Sequence, residues 1–120
     1  MASSNTTTYP EQLDHILKSQ EKLTLAQPAV MDAFGKLHSA SIVDSTLTKK
    51  TKELIALAIA VVVRCDGCIA FHTHDALEAG ASEAEIADAL GVAILMGGGP
   101  STVYAAHVMD AITQFKAKKA

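Results

Sequence analysis

Thr48-Lys49-Lys50-Thr51-Lys52-Glu53-Leu54-Ile55-Ala56-Leu57-Ala58-Ile59-Ala60-Val61-Val62-Val63 runs directly into Arg64-Cys65-Asp66-Gly67-Cys68-Ile69-Ala70-Phe71-His72. Thr48 is a candidate N-cap, because its hydroxyl can accept from a free amide of the first turn. Leu54, Leu57, Ala58, Val61 and Val62 then recur at helical spacing. Apolar residues cover nearly all of the second half, the pattern of a helix buried on most sides. Val61-Val62-Val63 has strand propensity, but the uninterrupted helical segment before it and the lack of any partner strand favour helix through to about Val63.

The same punctuation extends in both directions. A fourth helix is expected from near Asp66, as its cap, to Ala79, with Gly80 as the residue just past its end. Ser82-Glu83-Ala84-Glu85 matches a capping box opening a fifth helix through Ile86, Leu90, Ile94 and Leu95. Gly97-Gly98-Gly99 ends it as a sharp helix–helix turn, and Pro100 suits the first turn of a sixth helix reaching past Phe115. The glycine triplet lacks the Lys-Ser/Thr of a phosphate loop and follows no strand. Upstream, Pro10 opens a first helix through Leu13, Ile16, Leu17 and Leu25, with Glu11 and Asp14 near its positive end. Pro28 restarts a second, with Val30, Met31, Phe34, Leu37 and His38 at helical spacing, and residues 41–47 form a loop. The fold class is all-α, about six helices in one bundle over residues 10–120, preceded by a disordered leader over residues 1–9.

The chain has 120 residues, 49% of them hydrophobic and 19% charged, with a net charge of −3. Charge this low and scattered argues against nucleic acid or an acidic membrane as partner. A small domain has limited interior, so this apolar share predicts burial between copies in a homo-oligomer. The first ten residues carry neither basic residues nor an apolar run, and the longest apolar stretch, Leu54–Val63, is ten residues. No secretory signal or membrane span is expected, and the cytoplasm is the expected compartment.

Cys65 and Cys68 are the only cysteines. In a reducing compartment such a pair is reactive or metal-binding rather than a structural staple. One sulfur can meet an oxidant and the other resolve it. At about 100° per residue Cys65, Cys68 and His72 fall on one stripe, with His74 on the opposite side. Cys68 and His72 stand four apart, so an imidazole is at hand to ionise the thiol, and the amino end of the fourth helix favours thiolate. Glu53 is a conspicuous acid at the edge of an apolar run. In an antiparallel hairpin it lies about 16–18 Å from the turn and His72 about 10 Å, leaving several ångströms between them unless a water or a skewed crossing intervenes. Alone, Glu53 reads as a solvated acid paired with Lys49 or Lys50, and His72 as a packed or surface histidine. Zinc on the two sulfurs and His72 would need His15, His38 or His107 to complete it, so no metal is expected. Tyr104 and His107, three apart on the last helix, share a face that reads as interface or core packing.

Glu53, eleven residues, Cys65-x-x-Cys68, three residues, His72 resembles the alkylhydroperoxidase D (AhpD-like) and carboxymuconolactone decarboxylase family, as do Ala76-x-x-x-Gly80-Ala81-Ser82 and Gly97-Gly98-Gly99-Pro100. The resemblance implies an all-α bundle assembled as trimers or hexamers, with no cofactor. Its implied chemistry is reduction of small hydroperoxides, with Cys68 the peroxidatic thiolate, Cys65 the resolving thiol and His72 with Glu53 a proton relay. An external dithiol or redox protein resets the disulfide. The best-described peroxidases of that family carry a second histidine between the cysteines, where this chain has Gly67. Two other functions stay open: a cofactor-independent decarboxylase of a lactone acid, using His72, His107 or Tyr104, and a non-enzymatic redox-sensing subunit.

Overall fold

Helices in this chain start where a side chain accepts from a free amide or a proline removes one. The computed structural model describes residues 7–119, and its elements are α1 (Tyr9–Ala26), α2 (Pro28–Ile42), α3 (Lys49–Val62), α4 (Asp66–Glu78), α5 (Glu83–Gly97) and α6 (Gly99–Lys119), with no strand among the described residues. Thr8 and Glu11 form a capping box at α1, Ser82 and Glu85 another at α5, and Thr48 accepts from the Thr51 amide at α3. Each such cap contributes about 1 kcal/mol. The leader expected over residues 1–9 therefore ends sooner, since Thr8 is a cap and Tyr9 a buried helical residue. Residues 1–6 of that leader lie outside the described residues.

Leu57 and Val61 of α3, Ile69 of α4, Ile86 of α5 and Val108 and Ile112 of α6 are fully buried together. Each such side chain stabilises the fold by about 1.5–3 kcal/mol relative to exposure. α3 packs on α4 and α5, and both of these pack on α6. α1 lies across α4 and α6, held by Tyr9 and Leu13. The glycine turn is sterically required. Gly98 has φ +73°, and a Cβ on Gly97 would stand 1.9 Å from the Oγ of buried Ser101.

α2 departs from the pattern its periodicity implies. None of its residues is buried, and Val30, Phe34 and Leu37 are about 60% exposed. The helical spacing made an apolar face, but no described residue buries it.

The end of α3 delivers the cysteines. The Arg64 amide bonds to the Val61 carbonyl and the Cys65 amide to the Ala60 carbonyl, the paired bonds of a Schellman motif. Arg64 occupies its left-handed position with φ +60°, the single non-glycine residue with positive φ among the described residues. An L side chain there is strained. Arg64→Gly is expected to raise stability by about 0.5–1 kcal/mol after the glycine's greater unfolded-state entropy is counted. A rise in the urea midpoint with unchanged slope is the readout, and a fall would contradict the strain argument.

Candidate active site

Cys65, not Asp66, caps α4. Its backbone is extended (φ −111°, ψ 97°) and its Sγ accepts from the Cys68 amide at 3.1 Å. Asp66 is instead the first helical residue, because the Schellman turn brings the chain out of α3 one residue earlier than the acidic cap implied. Cys65 and Cys68 are joined as a disulfide with Cα atoms 5.2 Å apart. Both are partly exposed, with Cys68 leaning on the core. A sulfur at the cap and another in the first turn both feel free amides and the positive helix end, which favour the thiolate of the reduced pair.

His72 lies one turn beyond Cys68, and its Nδ1 is 2.8 Å from Glu53 Oε1. The gap of several ångströms expected between them is absent. Axial rise along two helices fixes only height, whereas the contact depends on how the helices cross and how far the side chains reach. Nor is Glu53 a solvated helix-start acid. It is 1% exposed, and Lys50 pairs with Glu85 instead. A carboxylate has no hydrogen to give, so Nδ1 carries the proton and Nε2 is left as the acceptor of the ring. The other carboxylate oxygen, Oε2, has no hydrogen-bond partner among the described residues.

Glu53, His72 and Asp75 bring one donor atom each within 4.8 Å of one another, a spacing a cation could use. Asp75 is also bound 2.9 Å from His74 Nδ1. The two sulfurs are not members of that group. His74 lies apart from the redox stripe, packed on Phe115 with ring centroids 5.5 Å apart. It lines a cavity of about 630 Å³ between α1, α4 and α6, with Leu13, Leu17 and Leu77 among the walls. Neither cysteine nor His72 lines that cavity.

A second constellation was not visible in the sequence. Asp66 Oδ1 accepts from the Tyr9 hydroxyl at 3.1 Å and lies 3.0 Å from His107 Nδ1. Tyr104 meets the His107 ring edge-on at 5.1 Å. The face shared by Tyr104 and His107 therefore turns toward the cysteine loop. The signal was slight, three residues of spacing on α6, because Tyr9 and Asp66 are 57 residues apart and Asp66 and His107 are 41. Burial, then the charge of Asp66, pushes the Tyr9 phenol well above its ordinary 10.0. As pH rises beyond 10 the unfolded chain gives up this proton first, so stability falls with pH from there. Tyr9→Phe is expected to remove part of that alkaline loss, measured by unfolding at pH values on either side of about 10. An unchanged alkaline profile would count against it.

Gly67 lies under α1. A Cβ there would stand 3.0 Å from Ile16 Cδ1, so a larger residue at position 67 requires that side-chain end to give way slightly.

A family model for the carboxymuconolactone decarboxylase family matches residues 28–111. An uncharacterized protein of Cupriavidus necator is 40% identical over 104 residues, covering 87% of this chain and 92% of its own length. Uncharacterized protein 4 of the cox locus of Paracoccus denitrificans is 38% identical over 80 residues, 67% of this chain and 72% of its own. Among solved structures, a carboxymuconolactone decarboxylase family protein of Legionella pneumophila in its apo form superposes with a TM-score of 0.87 at 39% identity, covering 89% of this chain and 96% of that one. A Thermotoga maritima protein superposes with a TM-score of 0.79 at 29% identity, covering 85% and 92%. With Glu53, Cys65, Cys68 and His72 all inside the matched span, this chain belongs to the carboxymuconolactone decarboxylase family.

Proposed function

We propose that this protein is an AhpD-like thiol peroxidase and disulfide reductase acting on small hydroperoxides. The observation that carries the reading is a closed Cys65–Cys68 pair at the amino end of α4, one turn from a histidine held on a buried carboxylate. In the reduced protein, His72 Nε2 takes the Cys68 proton. The thiolate attacks the peroxide O–O bond, giving Cys68 sulfenic acid and, with that proton returned, an alcohol. Cys65 then displaces the hydroxyl as water, forming the disulfide. The amide that Cys65 Sγ accepts from supports its attacking thiolate. An external dithiol restores both thiols by two exchange steps. Support of a different kind is the antioxidative role suggested for the Thermotoga maritima relative.

His107 is engaged by an acid, Asp66, which makes it a poor receptor for a substrate carboxylate and weighs against lactone decarboxylation. The reading includes a homo-oligomer, trimeric or hexameric, supported by the uncovered Val30, Phe34 and Leu37 of α2. A sedimentation coefficient of a single subunit would exclude it. It also includes a cytoplasmic setting, where a dithiol reductant is available. Among the described residues no helix is long and apolar enough to cross a membrane.

The test is to reduce the protein and add one equivalent of tert-butyl hydroperoxide. Both thiols are expected to disappear together as the alcohol forms, with continued turnover when dithiothreitol is supplied. Thiols that survive peroxide, or that alkylate with the unperturbed pKa of about 8.5, would sink the proposal.

A further inference from the structure

The Tyr9–Asp66–His107 cluster has no part in the chemistry above, yet Asp66 is one peptide bond from Cys65 and inside the loop that carries both sulfurs. A carboxylate there opposes thiolate formation by like charge. Two donors converge on its one oxygen, a phenol from α1 and an imidazole from α6. As a staple the imidazole contributes little, since the His107 and Asp66 side chains are 35% and 42% exposed and water screens them. Its position beside the sulfurs matters more than its strength.

We infer that His107 is a positioning residue for the redox pair: bound to Asp66, it sets the charge beside Cys65 and thereby the thiol–disulfide equilibrium. The inference rests on the pair being redox-active, as proposed above, but not on peroxide being its substrate. With Nδ1 donating to Asp66, the exposed ring can take a second proton at Nε2. The dyad then changes from net negative to neutral. The neutral dyad favours thiolate and so the reduced pair, which makes the couple more oxidising. The charged dyad does the reverse. The ionisable groups around the ring are Asp66 from α4, Tyr9 from α1, and Tyr104 on its own helix, with Asp110 acting on Tyr9. Tyr9 stays a neutral donor throughout the working range.

The experiment equilibrates the full-length protein with mixtures of oxidised and reduced dithiothreitol and counts free thiols by alkylation. His107→Gln and Asp66→Asn are compared with the parent at about pH 6 and about pH 8. At the lower pH, His107→Gln is expected to shift the equilibrium three- to tenfold toward disulfide, up to about 30 mV for a two-electron couple. At the higher pH its shift shrinks toward none. Asp66→Asn is expected to move the equilibrium the other way, toward dithiol, at both. A purely structural role moves unfolding midpoints and leaves the equilibrium alone. Equal equilibria in all three proteins, or shifts of the same sign in both variants, overturn the inference. Should His107→Gln fail to fold, the sign for Asp66→Asn decides alone. A null peroxide assay alongside a shifted dithiothreitol equilibrium would remove the peroxidase reading and leave this inference standing.

Discussion

Cys68→Ser is expected to lower peroxide consumption to the uncatalysed background, a loss of at least about a thousandfold, whereas Cys65→Ser still completes one oxidation per subunit. The asymmetry follows from position. Cys68 and His72 stand four apart on α4, the spacing at which side chains can meet, so Cys68 is the sulfur with a base in reach, while Cys65 is the helix cap and its partner is the Cys68 amide. Without Cys68 no sulfur next to the imidazole can attack. Without Cys65 the attack proceeds and stops at sulfenic acid, because nothing nearby condenses with it. Rapid-mixing measurement of peroxide loss, with dimedone trapping and mass determination of Cys68, distinguishes the two. The outcome that defeats the assignment is the mirror image: a trapped sulfenic acid at Cys65 in the Cys68→Ser protein. The cap hydrogen bond gives that outcome a physical route, since it stabilises a Cys65 thiolate as well. The experiment therefore tests the division of labour between the sulfurs and not merely their importance.

What was legible in this chain was whatever depends on a few neighbouring residues. Thr48, the Ser82–Glu85 box, Gly80 and the Gly97–Gly99 turn each mark a helix end through local hydrogen bonds or backbone freedom, and each lies where the reading placed it within a residue or two. The spacing of Cys68 and His72 is likewise a property of one helix, whereas Cys65, expected on the same helical stripe, is the extended cap just outside it. Contacts between helices were harder. The distance from Glu53 to His72 was overestimated because rise per residue says nothing about the crossing of α3 and α4. Arg64 was missed as a left-handed residue because glycine, the usual signal, is absent there. The Tyr9–Asp66–His107 cluster needs three helices in place before it exists. α2 marks the remaining limit: periodicity identifies an apolar face but not what covers it, and here the subunit's own core does not.

His72→Ala should have the largest effect on stability of any single change at the site, a loss of about 3–5 kcal/mol. Glu53 is 1% exposed, one oxygen is bound to His72 and the other has no partner among the described residues. Removing the ring leaves a buried carboxylate without the N–H that binds it, in a domain whose whole stability is of order 5–15 kcal/mol. The loss belongs to the abandoned acid rather than to the missing histidine. Adding Glu53→Leu to the same protein should therefore restore most of the stability, because an apolar pair then replaces a buried carboxylate that has lost its donor. Activity should not return with it, since the base proposed for Cys68 is gone. Glu53→Gln alone separates the same two roles from the other direction. The amide keeps the shape and an acceptor for Nδ1–H, so unfolding should change little, but the negative charge that supports the imidazolium is lost, and turnover should fall by about a hundredfold. Urea unfolding of the four proteins in parallel with thiol-linked peroxide turnover closes the cycle. If the double variant is as unstable as His72→Ala, the acid is not the source of the loss. If Glu53→Gln turns over normally, Glu53 holds the fold and has no hand in the proton transfer.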